Sequence, residues 1–182
     1  MKRSLPALVL ALLFVCSSAA QASGYYFKAF GTNGLQGPGY FAGIEDQNGR
    51  NGGLAYSNIP QEALKVYLGN DGRFFSQGFK VELYIYEVKP LETPGPFYSL
   101  VGGSVGSAFF ERQGYAETHL IATLLGGLGA QRKLGYGFVF IEAIIRLGAT
   151  AFSPNLQDYF MLSLRPVGFV DAPICIGYRV PF

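Results

Sequence analysis

The sequence is poor in charge, in cysteine and in histidine. Charged residues make up 14% of the 182-residue chain, against about 25% in an ordinary soluble domain. The formal net charge is +2, which argues against nucleic-acid binding, because such proteins carry a basic surplus. Two cysteines and one histidine are too few for a disulfide framework or a metal site, and no motif indicates a cofactor. After the first 22 residues, no apolar run of about 18 residues provides a membrane-spanning helix.

The first 22 residues have the pattern of a secretory signal peptide. Lys2 and Arg3 precede an apolar stretch at residues 5–15, and residues 20–22 read Ala-Gln-Ala, a typical cleavage site. Lipid attachment at Cys16 is the alternative, but the two residues before it are bulkier than a lipidation site normally has. We therefore predict a signal peptide at residues 1–22 and one domain at residues 23–182. Cleavage removes two of the 14 basic residues and none of the 12 acidic ones, so the exported chain is nearly neutral.

The later part of the chain alternates apolar and polar residues with a period of two, which predicts β-strands. Six strands are expected, at residues 79–86, 97–111, 118–132, 136–149, 157–168 and 173–182. Most are long enough to cross a bilayer at a tilt. Short connections with turn residues, including Val170-Asp171-Ala172, predict an antiparallel up-and-down meander.

The first third of the chain is less regular. Residues 25–31 and 39–45 have strand character, and residues 46–53 form a Gly/Asn-rich loop. Residues 57–62 resemble a helix start, although residues 66–68 could equally form a strand. With these segments we predict an all-β fold: a closed antiparallel up-and-down β-barrel of eight strands that spans a membrane, since bacterial single-chain barrels use even strand numbers.

The polar face of the best strands carries Tyr, Ser, Gly and few charges. Such a face is too sparsely charged to be a soluble outer surface, so it is predicted to line the lumen, with the apolar face toward lipid. The charged residues expected in the lumen are Lys80, Glu82, Glu142, Arg146, Arg165 and Arg179. We predict that Glu142 faces Ser163 or Arg165 and groups with Arg165 and Arg179. A salt-bridge network that fills a narrow barrel is favoured over an anion site or gate.

His119 is the only histidine, and a catalytic role would need a serine nearby. A hairpin turn near residues 112–117 places His119 opposite about Phe110. Ser107 would then lie roughly 10 Å away and Ser104 roughly 20 Å away, at about 3.3 Å per residue, beyond hydrogen-bond reach. No catalytic residue and no metal ligand is predicted, and His119 is expected at the barrel rim.

The chain ends on a strand with a terminal phenylalanine, where most chains end on polar, frayed residues. Apolar or aromatic residues alternate at Ile174, Ile176, Tyr178, Val180 and Phe182, with Gly177 in the intervening register. This ending, the length and the meander resemble the small eight-stranded outer-membrane barrels of Gram-negative bacteria, with Val180 and a penultimate Pro181 as departures. The resemblance implies an outer-membrane location, periplasmic termini, and recognition of these six residues by the barrel-assembly machinery. Residues 25–31 are the expected partner of the closing strand.

The predicted function is a structural or interaction role in the cell envelope, with outer-membrane lipid as the surrounding partner and an envelope protein partner that the sequence does not identify. A non-enzymatic role is favoured. The alternatives are a lipid-modifying barrel enzyme and a soluble secreted barrel that binds an apolar ligand. With a periplasmic C-terminus, the turns near residues 90–96, 133–135 and 169–172 are expected to be extracellular, and their brevity argues against an adhesin.

Overall fold

The computed structural model describes residues 22–31, 38–68, 75–92, 95–112, 115–152 and 167–181. The strands are Ala22–Gly31 (β1), Gly39–Asp46 (β2), Arg50–Ile59 (β3), Gln77–Pro90 (β4), Phe97–Arg112 (β5), Tyr115–Leu134 (β6), Gly137–Phe152 (β7), Val167–Asp171 (β8) and Ile174–Pro181 (β9). A 3₁₀ turn at Gln61–Ala63 leads into the short helix α1, Leu64–Leu68. Within these ranges, no helix has the length and apolarity needed to span a bilayer. Apart from Ala22, the predicted signal peptide lies outside the described residues.

The strands form one closed antiparallel barrel with eight strand positions. Each strand from β1 to β6 pairs with the next strand in the chain. β7 pairs with both β8 and β9, and β9 pairs with β1, which closes the barrel. The closing register runs from Tyr25 opposite Val180 to Gly31 opposite Ile174. The structure confirms the predicted all-β eight-stranded barrel and the predicted partner of the closing strand.

The eighth strand position is shared by β8 and β9, which corrects the predicted turn at residues 170–172. β8 places Asp171 opposite Arg146, and β9 places Ile174 opposite Ala143, so both strands keep one register on β7. Pro173 interrupts the regular hydrogen bonding because it has no N–H group, yet its carbonyl accepts a hydrogen bond from Ile144 N at 3.1 Å. The chain therefore continues in one direction through residues 171–174. The strand predicted at residues 157–168 lies mostly outside the described residues.

This shared position changes which connections lie at which end of the barrel. We call the end where β1 begins and β9 finishes the terminal end. The connections at residues 47–49, 91–96 and 135–136 lie there, so the expectation that the brief turns near 90–96 and 133–135 face the opposite end is wrong. At the opposite end, β3 leads into the 3₁₀ turn and α1, β7 ends and β8 begins.

Strand β3 was not expected, because residues 46–53 looked like a loop. The turn itself is only three residues long, and Gly49 adopts a φ of 76° in it. Asp46 Oδ1 accepts hydrogen bonds from Asn48 N at 2.8 Å and Arg50 N at 2.9 Å, which fixes the reversal. At position 53 of β3 a Cβ would be 2.3 Å from the carbonyl oxygen of Ala42, so the strand needs a glycine there.

Helix α1 folds into the end of the barrel opposite the termini. Residues 57–62 were predicted as a helix start, and the 3₁₀ turn after Pro60 begins within that stretch. Leu64, Tyr67 and Leu68 are buried. They belong to an apolar cluster that includes Phe110, Ile121 and Phe169. Burial of this cluster, rather than the intrinsic stability of a five-residue helix, holds α1 in place.

The two faces of the barrel wall differ sharply in charge. Outward positions carry large apolar side chains, for example Ile85, Leu124 and Ile145. In the described strands, charged side chains outside the lumen occur only within the first or last four residues of a strand. The lumen, by contrast, buries charged residues from four different strands, β1, β4, β7 and β8.

Candidate functional site

The lumen directly beneath α1 holds a charge-balanced cluster that we call the upper layer: Lys80 and Glu82 on β4, Arg146 on β7 and Asp171 on β8. Lys80 Nζ lies 2.8 Å from Glu82 Oε2, and Arg146 Nη2 lies 2.7 Å from Glu82 Oε1. Arg146 Nε lies 3.7 Å from Asp171 Oδ1. None of the four side chains is more than 2% exposed. Because two cations meet two carboxylates, the burial of each charge is compensated.

Neutral hydroxyl groups complete the hydrogen bonding of Glu82. Ser104 Oγ donates to Glu82 Oε1 at 2.7 Å, and Tyr84 OH donates to Glu82 Oε2 at 3.2 Å. Ser104 Oγ is also 2.6 Å from Thr123 Oγ1 on the neighbouring strand. The Arg146 guanidinium lies over the Tyr84 ring, 5.3 Å from its centroid. Glu82 is therefore the residue on which most of the upper layer depends.

Tyr67 connects the upper layer to α1. Its hydroxyl donates to Asp171 Oδ2 at 3.2 Å, and its ring lies 4.7 Å from that of Phe169. Its carbonyl accepts a hydrogen bond from Thr150 Oγ1, and Lys80 Nζ lies 5.4 Å from its ring centroid. Burial, followed by the nearby Asp171 carboxylate, raises the pKa of the Tyr67 hydroxyl, so the group stays protonated and remains a donor.

A second buried pair forms the middle layer, closer to the terminal end. Lys28 Nζ on β1 lies 2.8 Å from Glu142 Oε2 on β7 and donates to Tyr86 OH at 3.2 Å. Tyr98 OH donates to Glu142 Oε1 at 3.0 Å. The Lys28 ammonium also lies 4.8 Å from the Phe41 ring centroid, within the range of a cation–π contact.

At the terminal end, Arg179 on β9 forms what we call the mouth layer. Its Nη1 lies 2.8 Å and 2.7 Å from the two carboxylate oxygens of Glu45 on β2. Its Nη2 donates to Gln131 Oε1, and its guanidinium lies 5.1 Å from the Phe138 ring centroid. Partners from four strands thus meet across the barrel opening.

The residues predicted to form one lumen cluster fall into these separate layers. Lys80, Glu82 and Arg146 meet in the upper layer. Glu142 lies opposite Cys175 and binds Lys28, so the prediction that it faces Ser163 or Arg165 is wrong. Glu142 and Arg179 line the same small cavity, and each forms an ion pair with a different partner. Arg165 lies outside the described residues. The predicted set lacked four participants, Lys28, Glu45, Tyr67 and Asp171. Lys28 had a visible signal, because it lies two residues from Tyr26 in an alternating stretch; Asp171 looked like a turn residue.

Little empty space remains between the layers. Two lumen cavities, one beside Glu142 and Arg179 and the other beside Lys28 and Arg146, have volumes of about 20 Å³ each. That is about the room one water molecule needs. A larger depression of about 900 Å³ is lined mainly by outward-facing residues of β4 to β8, including Gly103, Ala122 and Leu124. The described lumen is therefore packed, and the 900 Å³ depression lies on the apolar outside of the wall.

His119 lies inside the barrel, opposite Ala108, two residues from its predicted position opposite Phe110. Its ring packs edge-on against Phe110 at 4.9 Å, and its Nε2 lies 3.8 Å from Glu117 Oε2. Ser107 points to the other face of the wall, whereas Ser104 belongs to the upper layer. The side chain is buried beneath α1 rather than at an open rim. In the described part of the chain, no three His, Cys, Asp or Glu side chains lie close enough to hold a metal ion.

The residues predicted as an assembly signal alternate across the wall. Ile174, Ile176 and Val180 are exposed on the outside. Tyr178 also faces outward and donates from its hydroxyl to Leu134 O at 2.9 Å. Gly177 faces inward, where a Cβ would be 2.3 Å from the Phe140 ring. Phe182 lies outside the described residues.

The comparisons with known proteins support the fold of the chain but identify no family for it. No family model matches the chain, and no curated protein matches it. Among solved structures, the chain is similar to a crystal structure of Neisserial surface protein A, NspA, with a TM-score of 0.50 and 13% identity over 88% of this chain and 94% of that chain. At this identity the similarity supports the barrel architecture of the chain as a whole.

Proposed function

We propose that the chain is an integral outer-membrane β-barrel that works as a structural or interaction component of the cell envelope, not as a channel. The observation that carries the proposal is the inverted distribution of charge. Ion pairs fill the lumen, whereas charged side chains on the outside are confined to strand ends. A soluble barrel requires the opposite arrangement, and a lysine or arginine facing lipid at the bilayer centre costs about 2–4 kcal/mol.

The height of the apolar band supports a bilayer environment. On the outside of the wall, Phe109 stacks on Phe79 at 4.8 Å near the end opposite the termini, and Phe97 lies near the terminal end of the same strand. Twelve residues separate Phe97 from Phe109, about 40 Å along the strand and about 30 Å along the barrel axis at a tilt of about 40°. This span matches the hydrocarbon core of a bilayer, which is about 30 Å thick.

The packed lumen supports a structural or interaction role over transport. Eight-stranded barrels have interiors just wide enough for side chains, and here buried ion pairs occupy that space at several heights. The connections at the end opposite the termini, which include α1 after β3, provide chain for contact with another molecule. With periplasmic termini these connections face the cell exterior. The similarity to a protein described as a surface protein is in keeping with this placement.

The two alternative functions have less support from the described residues. A lipid-modifying enzyme would need a nucleophile beside His119, and neither Ser104 nor Ser107 is placed there. A soluble barrel for an apolar ligand would need a sizeable internal cavity. The described lumen is filled by ion pairs and by tyrosine and apolar side chains, and its two cavities measure about 20 Å³ each.

Cell fractionation combined with gel migration tests the proposal. The mature chain is expected in the outer-membrane fraction, and it should migrate as a compact form without boiling and shift on heating. Release of the mature chain into the aqueous periplasm or the medium would contradict the proposal. Mass spectrometry of lipid A from a deletion strain separates the enzyme alternative, for which the acyl pattern changes; we expect no change.

We further propose that the last strand is read by the barrel-assembly machinery during insertion. Deletion of Phe182 is expected to lower the amount of inserted barrel several-fold, while the barrels that do form keep wild-type heat stability. Pulse-chase labelling with gel migration measures both quantities. Normal insertion of the shortened chain would refute this role.

A further inference from the structure

The hairpin of β6 and β7 extends past β5 at the terminal end. The first residue of β5, Phe97, pairs with Ala130, whereas β6 continues to Leu134 with β7 as its strand partner. We call residues 132–136, Arg-Lys-Leu-Gly-Tyr, the hairpin tip. Gly135 has a φ of 61° in the turn, and Tyr178 OH donates a hydrogen bond to the carbonyl oxygen of Leu134. The tip is therefore a braced projection and not a frayed end.

The hairpin tip combines exposed apolar side chains with exposed cations. Leu134 is 61% exposed and Tyr136 is 96% exposed. Arg132 and Lys133 are also exposed. Side chains of these two classes side by side match the interface of a membrane, where aromatic rings lie at headgroup depth and cations meet phosphates.

The other two connections at the terminal end have a different charge pattern. The β2–β3 turn has Asp46 beside Arg50, and near the β4–β5 connection Lys89 Nζ lies 3.5 Å from Glu87 Oε1. The hairpin tip has cations alone, and within the described ranges neither Arg132 nor Lys133 forms an ion pair. Two positive charges are thus available to an anionic partner.

The position of Arg132 relative to the apolar band indicates which anionic molecule the hairpin tip binds. It follows Leu128 and Ala130 on the outward face of β6, so it lies directly at the edge of the apolar band. We propose that the hairpin tip is a binding site for the phosphate group of an anionic phospholipid in the leaflet around the terminal end, an inference that rests on the proposed membrane insertion. The Arg132 guanidinium donates two hydrogen bonds to phosphate oxygens, and Leu134 and Tyr136 lie among the glycerol and upper acyl groups. Lys133 pairs with Phe138 on the lumen-facing side of the hairpin, and its exposed ammonium adds a second charge at the rim.

Native mass spectrometry of the full mature chain released from nanodiscs tests the site. The discs contain phosphatidylcholine and phosphatidylglycerol at a ratio of 3:1. The wild type is expected to retain phosphatidylglycerol in preference to phosphatidylcholine. In the Arg132→Gln, Lys133→Gln double variant this preference should fall about thirtyfold, since each basic residue contributes about 1 kcal/mol. The Lys89→Gln variant is the matched control, because it removes an exposed cation at the same end; its preference should be unchanged.

The outcomes separate this site from the proposed function. Heat-modifiable gel migration first shows that each variant is folded, and Lys133→Gln alone, with a smaller expected loss, replaces the double variant if the latter does not fold. A barrel that inserts but retains both lipids equally, or a double variant with wild-type preference, overturns the lipid site and leaves the membrane proposal intact. Failure of the wild type to insert overturns the membrane proposal. Displacement of phosphatidylglycerol by millimolar soluble glycerol phosphate would show a general phosphate site and contradict the lipid assignment.

Discussion

Among single residues, Glu82 has the most partners in the buried charge network. Its carboxylate meets Lys80, Arg146 and Ser104 within 2.8 Å. Glu82→Gln leaves two buried cations with Asp171 as their remaining carboxylate. We expect a loss of about 3–5 kcal/mol in the free energy of unfolding, the usual effect of breaking a buried ion pair from one side.

Urea unfolding of the folded protein in lipid vesicles measures this loss. Glu87→Gln is the control on the same strand, because Glu87 forms a solvent-exposed pair with Lys89, and such pairs contribute less than about 1 kcal/mol. Equal stability of the two variants would show that the upper layer does not hold the barrel together.

Gly177 illustrates how tightly the closing strand packs against the lumen. A Cβ at this position would be 2.3 Å from the Phe140 ring and 2.6 Å from the carbonyl oxygen of Phe27. Because a backbone atom cannot move aside cheaply, Gly177→Ala should cost about 1–3 kcal/mol, the range of overpacked cores. The thermal midpoint of the gel-mobility shift should fall accordingly.

Gly168→Ala is the matched control for this substitution. Gly168 lies at the same strand position of the barrel but faces outward, where a Cβ would meet nothing nearer than Gly148 O at 3.9 Å. We expect its thermal midpoint to stay at the wild-type value. A Gly177→Ala midpoint equal to that of the control would contradict the packing seen at the closing strand.

At the scale of elements, α1 is held by side-chain contacts and not by its own length. Tyr67→Ala removes the ring contact with Phe169 and the hydrogen bond to Asp171, and truncation of a buried aromatic residue typically costs about 3–5 kcal/mol. We expect α1 to detach, so that trypsin cleaves after Lys65 several-fold faster while the barrel keeps its compact gel migration. Limited proteolysis followed by mass spectrometry measures the cleavage.

Gln61→Ala, an exposed change in the same segment, should leave the cleavage rate unaltered. If trypsin cleaved the Tyr67→Ala variant no faster than the wild type, the contacts of Tyr67 would not be needed to keep α1 packed against the barrel.

Elements with strict alternation could be predicted from the sequence, and those with mixed signals could not. β4 to β7 follow from their period-two pattern because each strand separates an apolar outside from a polar inside. β3 was missed because Gly53, which allows β2 and β3 to approach closely, looks the same in a sequence as a loop glycine. The turn predicted at residues 170–172 was wrong because Asp171 and Pro173 resemble turn residues, although Asp171 is a buried partner of Arg146.

The candidate site was partly predictable for the same reason. Alternation predicts that Lys80, Glu82 and Arg146 share the inner face, because successive side chains of a strand point to opposite faces of the wall. Which of the inner residues meet depends on register and on strand number around the barrel, and a sequence specifies neither. Lys28 and Glu142 are 114 positions apart in sequence, and they meet only because β1 and β7 both flank β9.

At the scale of the whole molecule, the central claim is that the outside of the wall faces lipid. Leu124 lies in the middle of the apolar band and is 71% exposed on the free chain. Glu92 lies in an exposed connection at the terminal end. Cys175, the one cysteine outside the predicted signal peptide, is buried, so Cys175→Ala provides a background in which one new cysteine can be labelled.

The most direct test is labelling of Leu124→Cys and Glu92→Cys with a membrane-impermeant maleimide in isolated cell envelopes. The account predicts that Glu92→Cys reacts readily and that Leu124→Cys stays unlabelled until the membrane and the fold are both disrupted, because a thiol in the hydrocarbon core meets neither water nor the reagent. Equal labelling of both positions in intact envelopes would place Leu124 in water and contradict the proposed membrane-spanning barrel.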